Sequence, residues 1–206
     1  MRSLLLILSI CIFQLFYYEF AFISYQFKKI IYNNHKHIGL PTPYHIRDSI
    51  FSLIDSLPEK DYTLVDFGSG QCEFIEEISK KELKIKLIVG VELNKNDVEL
   101  CNKKKMNKKI EIYNMDMVNY NFSKVLDILY MYEPLWCVNN KEAVSVYEKV
   151  IMKKPSYIIY VSGVSPILNE SFFKNMGYNT LHNSRVKRFL GWYGNYIYLF
   201  KKQIDF

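Results

Sequence analysis

Cysteine is scarce. The 206 residues hold 4 of them, Cys11, Cys72, Cys101 and Cys137, with no C-x-x-C pair. That spacing argues against a disulfide scaffold and against a zinc site, and it favours a reducing compartment. The 4 histidines, His35, His37, His45 and His182, have no ligand spacing either, so no metal is expected. Glycine (8) and proline (6) are too few for a fibrous or low-complexity chain, and no segment repeats. Acidic residues are the minority: 21 Asp and Glu against 27 Lys and Arg leave a formal charge of +6. An excess of that size gives mild attraction to anionic surfaces and falls short of a dedicated nucleic-acid binder. With 50% hydrophobic and 23% charged residues the composition is ordinary globular usage, which excludes a mainly disordered protein.

One long apolar run is present, at the N-terminus. Leu4 to Tyr18 is softened only by Ser9, Cys11 and Gln14, and after Glu19 the pattern resumes to Phe27 and stops at Lys28 and Lys29. At 1.5 Å per residue this is long enough to cross a bilayer, which takes ~20 mainly apolar residues. Glu19 is costly in hydrocarbon unless it is protonated or near the headgroups, where Tyr17, Tyr18 and Tyr25 are suited to lie. The expectation is an uncleaved transmembrane anchor over 1–27; a signal peptide and an interfacial or core helix are the alternatives. Lys28, Lys29, Lys36 and Arg47 outweigh Arg2, so the positive-inside rule puts the remainder in the cytoplasm or an equivalent interior. Residues 28–40 then form a linker and 41–206 the folded domain.

From residue 41 onward strand and helix patterns alternate. Ile46, Ile50, Phe51, Leu53, Ile54 and Leu57 keep one stripe on a helix over Tyr44–Leu57, which Pro58 ends. Buried strands are expected at Thr63–Phe67, Leu87–Val91, Ile110–Tyr113, Val125–Tyr132 and Tyr157–Val161. Helices are expected at Cys72–Lys80, Asn96–Lys105 and Ala143–Met152, with a short one around Phe172 and Phe173. Tyr178–Val186 and Tyr193–Phe200 read as an antiparallel pair. Repeated strand–helix–strand units imply an α/β fold: a Rossmann-like, mostly parallel sheet with an antiparallel last strand, in three layers, preceded by the transmembrane helix.

The informative segment is Val65-Asp66-Phe67-Gly68-Ser69-Gly70-Gln71-Cys72-Glu73. Glycines directly after a strand let the backbone turn tightly and approach a ligand. A dinucleotide site would use the same geometry, but the third glycine of its G-x-G-x-x-G fingerprint is replaced by Glu73. Asp66 also places a carboxylate where a pyrophosphate would lie, and like charges repel there. S-adenosylmethionine (SAM) carries no phosphate; its ammonium and sulfonium are cationic, and a carboxylate beside the turn suits them.

On these residues the chain resembles the class I, Rossmann-like, SAM-dependent methyltransferases. The resemblance rests on the acidic-x-Gly-x-Gly turn at Asp66, Gly68 and Gly70, on Val89-Gly90-Val91-Glu92-Leu93-Asn94, and on Asn114-Met115-Asp116. The family often has a third glycine where this chain has Cys72. The resemblance implies that Glu92 grips the two ribose hydroxyls and that Asp116 accepts from the adenine amino group. It places the acceptor beyond the fourth strand, where Glu133-Pro134-Leu135-Trp136 is similar to the Asn/Asp-Pro-Pro-aromatic element of amine methyltransferases of nucleic acids. There Glu133 would hold or deprotonate a nucleophilic nitrogen and Trp136 would pack on the acceptor chain. The alternative is that Glu133 caps a turn and Trp136 is core.

Gly39-Leu40-Pro41-Thr42-Pro43-Tyr44 precedes the first helix. With the apolar N-terminus, this layout is similar to small membrane-anchored methyltransferases that modify lysines of mitochondrial membrane proteins. That likeness implies a lead-in loop over the cofactor, with Thr42 or Tyr44 at its methionine end; a rigid linker is the alternative reading of the prolines. Arg185, Lys187 and Arg188, with Trp192 and Tyr193, suit an anionic substrate or lipid headgroups, or form a solvated basic loop. The functional expectation is methyl transfer to an amine, a protein lysine on or near a membrane. A nucleic-acid or small-molecule acceptor, or a catalytically silent SAM-binding module, are the alternatives.

Overall fold

Apolar residues on both faces make a strand fit only for the middle of a covered sheet, and three strands here have that character. Tyr62–Phe67 (β1) and Tyr157–Ser162 (β5) are buried at every position, and Asp127–Tyr132 (β4) at all but its last. Ile85–Glu92 (β2), Ile110–Asn114 (β3), Tyr178–Lys187 (β6) and Gly194–Lys202 (β7) complete one seven-stranded sheet, in the order β3-β2-β1-β4-β5-β7-β6. All neighbours from β3 through β5 run parallel, and β7 lies antiparallel between β5 and β6. The computed structural model describes residues 42–58, 61–104, 106, 109–122, 127–132, 135, 140–162, 167–187 and 194–203. These belong to one unit, Gly39–Phe206.

Alternation along the strands sorts side chains to two cores. Leu64, Ile88, Ile128, Ile159 and Ile197 face one side, under Tyr44–Ser56 (α1) and Glu73–Ser79 (α2). Val65, Val89, Leu129, Ile158 and Phe200 face the other, under Asn140–Ile151 (α4) and Glu170–Asn175 (α5). Helix α3, Lys95–Asn102, follows β2 and adds Cys101 to the first core. The stripe read on α1 is the one that packs: Ile46, Ile50 and Ile54 are fully buried, one turn apart. The result is the three-layer, mostly parallel sheet expected from the sequence, with the antiparallel pair at the end.

Boundaries shifted where caps and pairing extend beyond hydrophobic pattern. Helix α3 starts one residue early because the Asn94 side chain accepts from Asn96 N and caps it. Strand β2 starts at Ile85, two residues before the apolar run, because Tyr62 pairs with it there. Among the described residues no helix is long and apolar enough to cross a membrane. The anchor expected at 1–27 and the linker at 28–40 lie outside the described residues.

The fold positions a site by its strand order. From β1 the chain adds β2 and then β3 on one side, and afterwards crosses to add β4 on the other. That reversal opens a crevice between the C-terminal ends of β1 and β4, where ligands bind in open α/β sheets.

Candidate functional site

Register decides which polar groups meet at that crevice. Asp66 lies opposite Gly90 of β2 and Tyr130 of β4, and Glu92 opposite Asn114 of β3. By the two-residue alternation these side chains share the face of Leu64, Ile88 and Ile128. Strands spaced about 4.8 Å apart make the row from β3 to β4 roughly 14 Å long.

The turn after β1 is stitched to the end of β2. Gly68 N and Ser69 N both donate to Val91 O, at 2.9 and 3.3 Å, and Cys72 N donates to Ser69 O at 2.9 Å. Gly68 (φ +77°) and Gly70 (φ +52°) have left-handed backbones that glycine adopts without strain. Cys72 has φ +59° as well, so the position where the resembled family often has glycine keeps the glycine conformation without the residue. A glycine not argued for in the sequence is closely packed: a Cβ on Gly90 would lie 2.8 Å from Ile112 Cδ1 and Ile75 Cδ1 and 2.9 Å from Ser69 Oγ, so these side chains would have to shift. Gly90 thus lies directly against Ser69 of the turn and Ile75 of α2.

Cys72 and Cys101 form a disulfide across 29 residues, with Cα atoms 5.4 Å apart. This single bond corrects the expectation drawn from cysteine spacing. Adjacent parallel strands bring the segments after β1 and β2 together, which sequence distance conceals. The Cys101 sulfur also lies 3.3 Å from Gly70 O, against the turn.

Asp66 is 4% exposed. Burial, then the neighbouring Glu92 carboxylate, push its pKa up to about 8, with Arg47 pulling the other way. Glu92 is nearly as buried, and both its oxygens are engaged: Oε2 accepts from Gly70 N at 2.9 Å and Oε1 from Asn94 N at 2.7 Å. A carboxylate has about four acceptor positions, so two remain for a ligand. Asn114 Nδ2 donates to Glu92 O (3.0 Å) and Leu93 O (2.9 Å), fixing the backbone beyond the carboxylate. Asp116 is exposed at the end of the row. Its Oδ1 accepts from Val118 N at 2.9 Å and caps a 3-10 turn, Met117–Asn119. Lys153 donates to Val118 O and Tyr120 O and so ties this turn to the segment after α4.

Thr42 is buried, and its hydroxyl meets Tyr130 Oη at 2.5 Å. Tyr44 is instead 58% exposed, with the Arg47 guanidinium 4.1 Å above its ring, so of the two lead-in residues only Thr42 reaches the inner surface. Of the residues singled out in the sequence, the structure gathers Thr42, Asp66, Gly68, Gly70 and Glu92 around the C-terminal ends of β1 and β2, with Asp116 beyond the end of β3. Glu133 and Trp136 lie outside the described residues. Tyr130 and Arg47 were not legible as site residues: one reads as part of an apolar strand and the other as a surface charge, though both are at most 2% exposed. Among the described residues no three His, Cys, Asp or Glu side chains are grouped to hold a metal ion.

The fold is that of SAM-dependent methyltransferases. The small RNA methyltransferase HEN1 superimposes with a TM-score of 0.62 at 15% identity, over 84% of this chain and 27% of that one. Magnesium protoporphyrin IX methyltransferase from Synechocystis PCC 6803, solved with bound S-adenosylhomocysteine, gives 0.60 at 10% identity, over 88% and 94%. The [4+2]-cyclase SpnF gives 0.59 at 9% identity, over 77% and 81%, so the architecture alone does not fix the reaction. No family model matches the sequence, and no curated protein matches it.

Proposed function

We propose that the chain binds SAM along this row and transfers its methyl group to an amine. The observation that carries the reading is the order of acidic groups on adjacent strand ends: Asp116 after β3, Glu92 on β2, Asp66 on β1. An adenosine joined to an amino acid through a sulfonium presents an amine donor, a diol and a cationic end in that sequence. Asp116 takes the adenine amino group with its second oxygen, Glu92 the ribose hydroxyls with its two open positions, and Asp66 the positive end. The raised pKa of Asp66 supports a cationic ligand. A buried carboxyl that is costly to ionise alone is stabilised as the anion by a positive charge beside it. A diphosphate would instead meet the Glu92 carboxylate and would raise further the cost of ionising Asp66.

The methyl group then lies on the β4 side of β1, and the chain beyond β4 holds Glu133 and Trp136. Glu133 accepts from or deprotonates the attacking nitrogen, and Trp136 packs against the acceptor. Displacement at the sulfonium methyl needs orientation and exclusion of water, with no covalent intermediate on the protein.

The acceptor we favour is a lysine of a membrane or membrane-proximal protein. The support is the apolar run 1–27 with Lys28 and Lys29 behind it, which would hold the domain beside such substrates at high effective concentration. A nucleic-acid acceptor is the second reading. It is supported by the likeness of Glu133-Pro134-Leu135-Trp136 to the element of amine methyltransferases of nucleic acids, and by Arg185 and Lys187 toward the end of the edge strand β6. Incubation of the full chain with methyl-labelled SAM and fractionated membranes, soluble protein and nucleic acid separates the two. Label in a membrane protein at lysine supports the first, and salt-sensitive labelling of RNA or DNA the second. SAM binding without label in any fraction would instead indicate a silent binding module.

A further inference from the structure

Buried beside Asp66 is a pair of hydroxyls that the proposed transfer does not use. Tyr130 lies on β4 opposite Asp66 and is 1% exposed. Its ring stacks on Phe74 of α2, with centroids 4.2 Å apart. Phenylalanine would pack there equally well. What the tyrosine adds is a buried hydroxyl that needs a partner, and it finds Thr42 Oγ1 at 2.5 Å, 88 residues away in sequence.

Thr42 is held a second time. Its carbonyl accepts from Arg47 Nε at 2.7 Å, and Arg47 is itself fixed on α2 by Glu77 at 2.6 Å and Glu73 at 3.5 Å. Thr42 is therefore pinned from two sides. The guanidinium joins it to the helix after the glycine turn, and the hydroxyl pair joins it to the sheet beside Asp66. The guanidinium bond is local, five residues along the same segment. The hydroxyl bond is the one that ties Thr42 to β4.

We propose that Tyr130 is a positioning residue: through its hydroxyl bond it latches Thr42, just before α1, beside Asp66 and so fixes the amino-acid end of the methyl donor. The latch rests on the SAM reading above. Strand order makes it selective. β4 lies beside β1, whereas the groups assigned to ribose and adenine stand on β2 and just after β3, so loss of the latch should be felt at the amino-acid end and not at the nucleoside.

The test is a double-mutant cycle on the full chain, read as dissociation constants for two ligands by calorimetry. SAM is one; 5′-methylthioadenosine, which keeps the nucleoside and sulfur and lacks the amino-acid end, is the other. Tyr130→Phe and Thr42→Val should each weaken SAM by about tenfold, and leave methylthioadenosine within about twofold. The double variant should be no weaker than either single one, since one lost hydroxyl already leaves the other without its partner. Should Tyr130→Phe not fold, Thr42→Val carries the two-ligand comparison by itself. Unchanged SAM affinity, equal losses for both ligands, or losses that multiply in the double variant would overturn the latch while leaving the methyl-donor reading intact. A wild-type chain that binds no SAM would overturn both.

Discussion

Asp66 holds a proton in the ligand-free protein that the unfolded chain gives up near its ordinary value of 3.8, because burial and Glu92 push the folded-state pKa up to about 8. The sign follows from linkage. The group favours folding most while both states are protonated, and that contribution is lost as pH rises through this interval. A cation placed against the carboxylate acts the other way and drives the proton off. SAM binding at pH 7 should therefore release up to one proton, seen as a binding enthalpy that varies with the ionisation heat of the buffer. Affinity should rise with pH until about 8 and then level. Asp66→Asn should abolish both effects, weaken SAM at least tenfold, and flatten the pH dependence of stability over the same interval. Buffer-independent heats with wild-type protein would remove the charge argument. At the acceptor side, Glu133→Gln should lower turnover at least tenfold and leave SAM affinity unchanged; equal turnover would retire the proposed role of that carboxylate.

Strands and helices were legible where one chemical rule fixed them. β1 and β5 read as buried strands because every position is apolar or closes a strand end, and α1 because one stripe repeats every turn. The acidic tips Asp66, Glu92 and Asp116 were visible for the same reason, each closing or following an apolar run. Pairs between elements were not. Tyr130 and Thr42 are 88 residues apart, Cys72 and Cys101 29 apart, and nothing in local pattern links them until the sheet is assembled. The disulfide yields a prediction for the elements it joins. Closing a loop of that length contributes ~3–4 kcal/mol in the chain-entropy account, so reduction should lower the thermal midpoint by roughly 10 °C. The native protein should also titrate two fewer free thiols than its 4 cysteines. An unchanged midpoint with all thiols free would show the bond absent in solution.

The whole molecule places its chemistry through topology. The reversal of strand order at β1 opens the crevice, the glycine turn leads α2 down beside it, and three neighbouring strands place three acidic residues at or just beyond their C-terminal ends. Order along the chain foretold this layout, because strand–helix–strand units admit few connections. It could not foretell which residues beyond the strand ends would complete the floor. The preference for a cationic ligand over an anionic one belongs to the assembly and not to any single residue, since Asp66 and Glu92 are buried beside one another. The most direct measurement is a calorimetric titration of the full chain at pH 8 with SAM and, separately, with NADH. Saturable binding of SAM with no detectable heat from NADH is the predicted result; tight binding of NADH with SAM ignored would contradict it.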